Sequence, residues 1–491
     1  MNLFNIFKRK PEAKRNFDGA KGTRYTSDWV ANEGPADKFL KTDIDSLRSR
    51  ARDLERNDGY AESILAEIES NVIGQSGIML KPMARKADAR NKGGIANKTD
   101  YDACEKIAQW WADYSKKGNF DVTRQYSRAG FERQTIRSVA RDGGFLVRMI
   151  DGIAKSKHGF MVQGIETDFL DPKYSDPAKR ISMSVEFDDW DEPIRYHLRK
   201  GDPKSWQWKQ YETVPVEARD MLNLFFARRI SQSQGFSWLA PIMVRLRHLS
   251  KFEEAEVISA RIGANKHGYF KQSGEQQYTG EDDGMGNIVA PQTPGEWEVL
   301  PHGVDPVFID PSHPNANYPD FRKAILRGVC AGVVVNYNTV ARDLEGVSYS
   351  SIRQGVLSER DTWRVIQAWF IDSFEVPIYE RALRMALITG QIEGLSILDF
   401  ERVCHAEFSG RTWAWVDPLK DVEAAAAEIT LGINSRQNVC RERGKDFAKV
   451  LDENEDDVEA LVDAGLPTDP KGNPAPMGAP VPVDSDSEDD S

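Results

Sequence analysis

The chain has 491 residues, 40% of them hydrophobic and 12 of them Trp, which is enough for two to four structural units with substantial cores. Its four cysteines, Cys104, Cys330, Cys404 and Cys440, contain no Cys-x-x-Cys pair, and neither a secretory signal nor a run of about 20 apolar residues occurs. A disulfide scaffold and a transmembrane helix are excluded, and a reducing cytoplasm is the expected place of synthesis. The net charge of −12 is confined to residues 451–491, while residues 1–450 sum to zero.

Residues 1–40 read as a flexible arm with a short apolar start (Leu3, Phe4, Ile6, Phe7) and a basic run from Lys8 to Arg15. Asp43 to Ser70 reads as one helix with Leu47, Leu54, Ile64, Leu65 and Ile68 available for packing, and Lys81 to Asp100 as an exposed polar loop. From Tyr101 to Arg229 helices at Ala103–Ser115 and Glu132–Arg141 alternate with the strand-like runs GFLVRMI, ISMSVEF and PIRYHLR, so this part is α+β. Ser237 to Gly268 reads as a helix capped by Ser237, with Pro241 in its first turn and Gly268 as its stop. Its apolar stripe is Leu239, Ile242, Leu246 and Leu249, and Arg245, Arg247, Lys251 and Glu254 leave the remaining surface charged.

A Gly, Pro, Asp and Gln-rich segment follows, with short strands expected in WEVLPHGVDPVFID, and then a helix from Pro319 to Val333 with Phe321, Ile325 and Leu326 on one side. Asn336 to Arg353, NYNTVARDLEGVSYSSIR, is longer than a minimal connector, and loops kept long usually have a task. Ile352 to Leu387 carries apolar residues at helical spacing, capped by Ser350 or Ser351, and Pro377 is expected to kink or break it. Asp421–Leu431 and Ser435–Ala464 read as helices punctuated by Gly432 and Gly444, before a Pro/Gly-rich and then acidic tail.

The order helix, Tyr-Ser-Ser loop, long Pro-interrupted helix resembles the core of tailed-phage portal proteins of the lambda family. Three further segments carry the resemblance: Leu47 to Ile78 with its Asn-Val-Ile-Gly, Ala227 to Leu249 with its Gln-x-x-Gly-x-Ser-Trp turn, and Thr412 to Phe447 with Trp-Val-Asp-Pro and Gly-x-x-Ser-Arg. Together they span roughly residues 40 to 450 in the family's order. Ser231 stands where a Gly is more usual, and Gln234 where an Arg is more usual.

The resemblance implies an α+β portal fold. Its parts would be an arm (1–40), an α/β wing (41–235), a stem helix (236–268), a clip (269–317), a returning stem helix (318–335), a tunnel loop (336–351), a kinked helix with the rest of the wing (352–420), crown helices (421–465) and a disordered acidic tail (466–491). It implies a ring of twelve copies at one capsid vertex, through which double-stranded DNA enters during packaging and leaves on ejection. The implied partners are the chain itself, the DNA, the terminase large subunit, the head-tail connector, and the major capsid and scaffold proteins, with no membrane and no cofactor. The tunnel loop would present Asn338, Thr339, Arg342, Asp343, Leu344, Glu345 and Gly346 to the channel, and Pro377 would be the hinge of the long helix. A protein that grips DNA by counterion release shows a Lys/Arg excess. The neutral body argues against such a grip and suits a passage along which a duplex slides.

No phosphate-binding loop, His-Glu-x-x-His helix, Gly-x-Ser-x-Gly elbow or spaced Cys/His metal set occurs. Cys404-His405 and Asp188-Asp189 are the nearest approaches to a nucleophile pair and a metal pair. The alternatives to a channel are therefore a metal-dependent enzyme acting on nucleic acid, which predicts cleavage by the purified chain, and another head-tail adaptor.

Overall fold

The computed structural model describes residues 34–87, 95–152, 154, 156–201, 212–264, 268–272, 281–282, 288–289, 304–308, 317–333, 335–345, 349–413, 418–443, and a few single positions up to 458. Most of the expected basic arm, Gly346, Gly444 and the acidic tail lie outside these residues.

Two helices open the described chain, α1 (Ala36–Asn57) and α2 (Gly59–Val72). They replace the single helix expected over 43–70, and α1 begins within the segment expected to be a flexible arm. The break is local chemistry: Asp58 leaves the helical conformation and its carboxylate accepts the N–H groups of Tyr60 and Ala61, capping α2. The polar stretch expected as a loop over 81–100 instead holds strands β1 (Met79–Pro82), β2 (Arg85–Ala87) and β3 (Ile95–Thr99). β2 and β3 pair with each other in an antiparallel ribbon. The exposed side chains of β2 explain why no apolar alternation marked it.

Helices α3 (Tyr101–Tyr114) and α4 (Arg128–Asp142) are capped by Asp100 and Ser127. Strands β4 (Phe145–Asp151) and β5 (Phe160–Ile165) follow, then β6 (Ile181–Ser182), β7 (Val185–Phe187), β8 (Pro193–Arg199), β9 (Thr213–Glu217) and β10 (Met221–Leu224). They form two antiparallel sheets, β10-β4-β5 and β6-β7-β8-β9. The second sheet covers a small core of its own built from Leu146, Phe169, Leu170, Val185, Tyr196, Leu198, Val216 and Met221.

Helix α5 spans Met243–Ala264, so it starts later than the Ser237 cap expected for it. Residues 238–242 form turns instead: Ser237 Oγ accepts the Leu239 N–H at 3.2 Å, and the Trp238 N–H donates to Ala140 O at 2.9 Å. Gly268 is not the helix stop but opens β11 (Gly268–Gln272). The segment from 269 to 317 contains β12 (Glu281–Asp282), β13 (Ile288–Val289) and β14 (Val304–Phe308); β11 pairs with β14 and β12 with β13, one antiparallel pair nested in sequence inside the other.

α6 (Tyr318–Val333) leads to the short α7 (Tyr337–Ala341) and then to α8 (Tyr349–Phe370). α8 starts ahead of the two serines expected to cap it. Between α8 and α9 (Val376–Ile388) the chain stays helical as one π turn, Ile371–Glu375, in which the Val376 N–H reaches back to Ile371 O. Pro377 supplies no N–H and crowds the preceding turn, and the wider π turn absorbs it without a break. α10 (Phe400–Val403) precedes β15 (Ala406–Ser409), which pairs with β1, and α11 (Pro418–Thr430) and α12 (Arg436–Glu442) end the named elements. The main core joins α2, α3, α4, α8 and α9 through Ile64, Leu65, Ile68, Trp111, Tyr114, Phe131, Trp363, Phe370, Phe374 and Tyr379.

Candidate functional site

The chain leaves α6 with the Val335 N–H bonded to Cys330 O at 3.1 Å, and Asn336 then caps α7 by accepting the Asn338 N–H at 3.0 Å. Three neighbours hold this cap. The Asn336 N–H donates to Glu359 Oε1 of α8 at 3.2 Å, the Asn336 amide lies against Gly355, where a Cβ would collide with it, and Ser63 Oγ of α2 donates to Val340 O at 3.2 Å. Val340 is buried beneath the short helix. Burial raises the Glu359 carboxyl above its ordinary value, against the opposing effect of the Asn336 N–H.

Arg342 ends α7 in the left-handed conformation with φ of 50°, which turns the chain away from the helix axis. The next residues divide by role. Asp343 accepts the Tyr337 hydroxyl at 2.7 Å and the Glu345 N–H at 3.0 Å, and lies 3.6 Å from Lys323 Nζ. Those contacts, the Tyr337 hydroxyl first, hold its carboxyl below the usual range, and burial pushes the Tyr337 phenol up to about 12. Asp343 is therefore a buckle that fastens the loop, not an outward charge.

Arg342, Leu344 and Glu345 are exposed, with Leu344 at 68% and the Glu345 side chain at 86%, and Glu345 passes 3.7 Å from Lys323. Asn338 and Thr339 are half-buried on α7. The sequence reading missed Tyr337, Lys323, Ser63 and Glu359. Lys323, Ser63 and Glu359 reach the segment from separate helices, and Tyr337 meets Asp343 six residues on within it.

Arg245, Arg247, Lys251 and Glu254 are exposed on α5. Lys251 pairs with Glu254 at 2.6 Å and holds its carboxyl below the ordinary value. Arg245 also passes over Gly328 of α6, and Ile242 over Gly332, so two small residues one turn apart admit the close approach of α6. Farther along, Phe252 packs on Tyr318 and Phe321 with ring centroids at 6.0 and 4.7 Å.

The two arrangements that hinted at catalysis serve structure. Asp188 Oδ1 accepts the N–H groups of Trp190 and Glu192, both at 2.8 Å, closing a turn. The Cys404 thiol is pushed up by burial, the reverse of nucleophile activation, and the His405 carbonyl accepts the Met83 N–H at 2.8 Å. Among the described residues, no group of three or more His, Cys, Asp or Glu could hold a metal ion, and no helix is long and apolar enough to cross a membrane.

Residues 22–367 match the family model described as phage portal protein, lambda family. The chain belongs to the lambda family of phage portal proteins. A relative from Halomonas phage phiHAP-1, named a probable portal protein, is 32% identical, the alignment covering 98% of this chain and 93% of that one. The portal protein of Escherichia phage N15 is 19% identical over 86% of each chain, and portal protein B of Escherichia phage lambda is 20% identical over 86% of this chain and 85% of its own. Among solved structures, a chain from the neck of an empty GTA particle gives a TM-score of 0.43 at 11% identity, covering 82% of this chain and 94% of its own. Membership of this portal family makes the chain a structural component of the virion, with the mixed α+β architecture read from its sequence.

Proposed function

We propose that copies of this chain close into a ring, twelve in the particle, around an axial channel at one capsid vertex. Double-stranded DNA passes through it during terminase-driven packaging and again on ejection. In this reading residues 41–235 and 352–420 are the wing, α5 and α6 the paired stem helices, the nested strand pairs of 269–317 the clip on which terminase and then the head-tail connector dock, and 336–351 the tunnel loop. Residues 421–465 are the crown, facing the capsid interior.

One observation carries the assignment of the loop. α7 is fastened to α2, α6 and α8 while Arg342, Leu344 and Glu345 are left exposed. An anchored base with exposed charge of both signs can follow a phosphate backbone without holding it.

The experiment is electron microscopy and solution mass of the purified chain, followed by packaging assays on particles carrying Arg342→Ala with Glu345→Ala. Rings with an axial hole, assembled normally by the variant but with altered packaging or DNA retention, are the expected result. A persistent monomer or dimer across protein and salt concentrations refutes the ring, and unchanged packaging and retention refutes the loop's role. Asp343 is left intact in this variant because it fastens the loop.

A further inference from the structure

The main core encloses three ionisable side chains whose charges do not balance. Arg128 and Glu132 lie one turn apart on α4, and Glu375 is the last residue of the π turn that joins α8 to α9. Glu132 is fully buried and Glu375 1% exposed, with Arg128 at 7%. The Arg128 guanidinium bonds Glu132 Oε1, reaches Glu375 Oε2 at 3.2 Å, and donates to Ile78 O at 2.7 Å and Ser115 Oγ at 3.1 Å. Glu132 Oε2 accepts the Ile78 N–H at 2.9 Å, an approach that Gly77 permits because a Cβ there would collide with the same oxygen.

One cation therefore faces two carboxyl groups in a shell of aromatic rings. Phe131 stacks on Phe374 at 6.1 Å, and Trp111 lies 5.5 Å beneath the guanidinium. The other ionisable group packed against the cluster is the Tyr114 phenol on α3, which burial holds in its neutral form. Two carboxylates that share one guanidinium in a dry core cannot both persist, because the single cation offsets only one. Glu132 has the better set of donors for an anion: the guanidinium and a backbone N–H. Glu375 accepts from Arg128 through Oε2, its Oε1 has no hydrogen-bond partner among the described residues, and its carboxyl faces that of Glu132. Burial first, and then the neighbouring Glu132 carboxyl, push the Glu375 carboxyl well above its ordinary value.

We infer that the folded chain binds one proton between Glu375 and Glu132, and that this proton clamps the π turn of the long helix onto α4. With the proton in place the cluster is neutral: guanidinium, carboxylate and carboxylic acid, with the Glu375 O–H directed at the Glu132 carboxylate. The π turn thus has a second cause besides Pro377, since it is the turn that carries Glu375 to this partner.

The sign of the pH dependence follows. The Glu375 value is raised in the folded state, so its contribution to stability is complete below the unfolded value of 4.5 and is lost as pH rises towards the folded value. Glu375→Gln keeps the shape and the donor of the protonated acid but has no proton to lose.

The test uses the full chain, wild type, Glu375→Gln and Glu132→Gln, with infrared spectroscopy and thermal unfolding from acid to alkaline pH. In wild type the carbonyl stretch of one protonated carboxylic acid is expected to persist above the pH at which ordinary carboxyls ionise. Both variants should lose it, Glu132→Gln because the remaining carboxylate then pairs with Arg128. The Tm of Glu375→Gln should match wild type in acid and rise progressively above it as pH increases, while protection of the 371–375 amides from hydrogen exchange, after correction for the base-catalysed rise in the intrinsic rate, falls with pH in wild type only. Absence of the band in wild type, its survival in both variants, or parallel Tm profiles overturns the inference. The spectrum is read on the folded chain whether or not rings form, so it stands apart from the portal assay.

Discussion

A buried guanidinium on the first helix shows how single residues tie distant parts of this chain together. Arg48 is 1% exposed, and donates to Asp142 O at 3.2 Å, Thr167 O at 3.4 Å and Gln234 Oε1 at 3.0 Å. Burial lowers its pKa, while Asp168 and Asp142 act in the other direction. Gln234 passes the contact on by donating to Met183 O at 2.7 Å. The departure from the family's usual Arg at 234 thus has a partner-based reading: a carbonyl oxygen receives Arg48 where a second guanidinium would face it. Arg48→Leu removes the donor for three acceptors and leaves the Asp142 and Asp168 carboxylates with less positive charge beside them. Breaking a buried charged network from one side costs about 3–5 kcal/mol. Denaturant unfolding is expected to show a loss of that order, and a loss below about 1 kcal/mol would mean that water reaches the site. Gln234→Arg should also destabilise, by placing like charges together.

Among the elements, the joint between α4 and α5 depends on two backbones in contact. Gly143 closes α4 with φ of 90°, and a Cβ on it would overlap the backbone of Phe236; a Cβ on Gly235 would overlap Gly143 O. Gly235→Ala is expected to cost about 1–3 kcal/mol, as overpacking does, with backbone on the receiving side and no flexible side chain to yield. Thermal unfolding measures it, and an unchanged Tm would show that the 235–238 turn moves freely. This joint also marks what was legible in the sequence. The Gly-x-Ser-Trp motif announced a turn into a helix, but not that Trp238 bonds to Ala140 before α5 begins, because that contact spans about a hundred positions of chain. Helices α3 and α6 and strands β4 and β8 were readable from their apolar patterns, whereas α4 starts four residues ahead of the expected Glu132, the run ISMSVEF is two strands, β6 and β7, turned at Met183 and Ser184, and β5, β9 and β10 were not read. The break at Asp58 was hidden by unbroken apolar spacing on either side of it. The ribbon over 85–99 was hidden by its polarity, and the Asp343 buckle by its dependence on Lys323 of a neighbouring helix.

Over the whole molecule, β1 and β15 pair residues 79–82 with 406–409, joining the start of the described chain to the region after α9 beside the main core. Residues 1–450 sum to zero, and the −12 falls in the segment after them. That partition makes a quantitative demand of the proposed channel. Non-specific DNA binding is driven by released counterions, and each neutralised phosphate adds about 0.9 to the slope of log K against log salt. A body with no net positive charge, whose loop presents an exposed Arg342 close to an exposed Glu345, releases few of them. Fluorescence anisotropy of a short duplex titrated with assembled rings should therefore give weak binding, no tighter than roughly 10⁻⁶ M at physiological salt, with a shallow salt slope. Glu345→Gln, which removes the nearby carboxylate, should tighten binding and steepen the slope. A steep slope in the unmodified chain would instead mean a concentrated basic lining that grips the duplex, and the channel would then need a motor strong enough to break those contacts at every step.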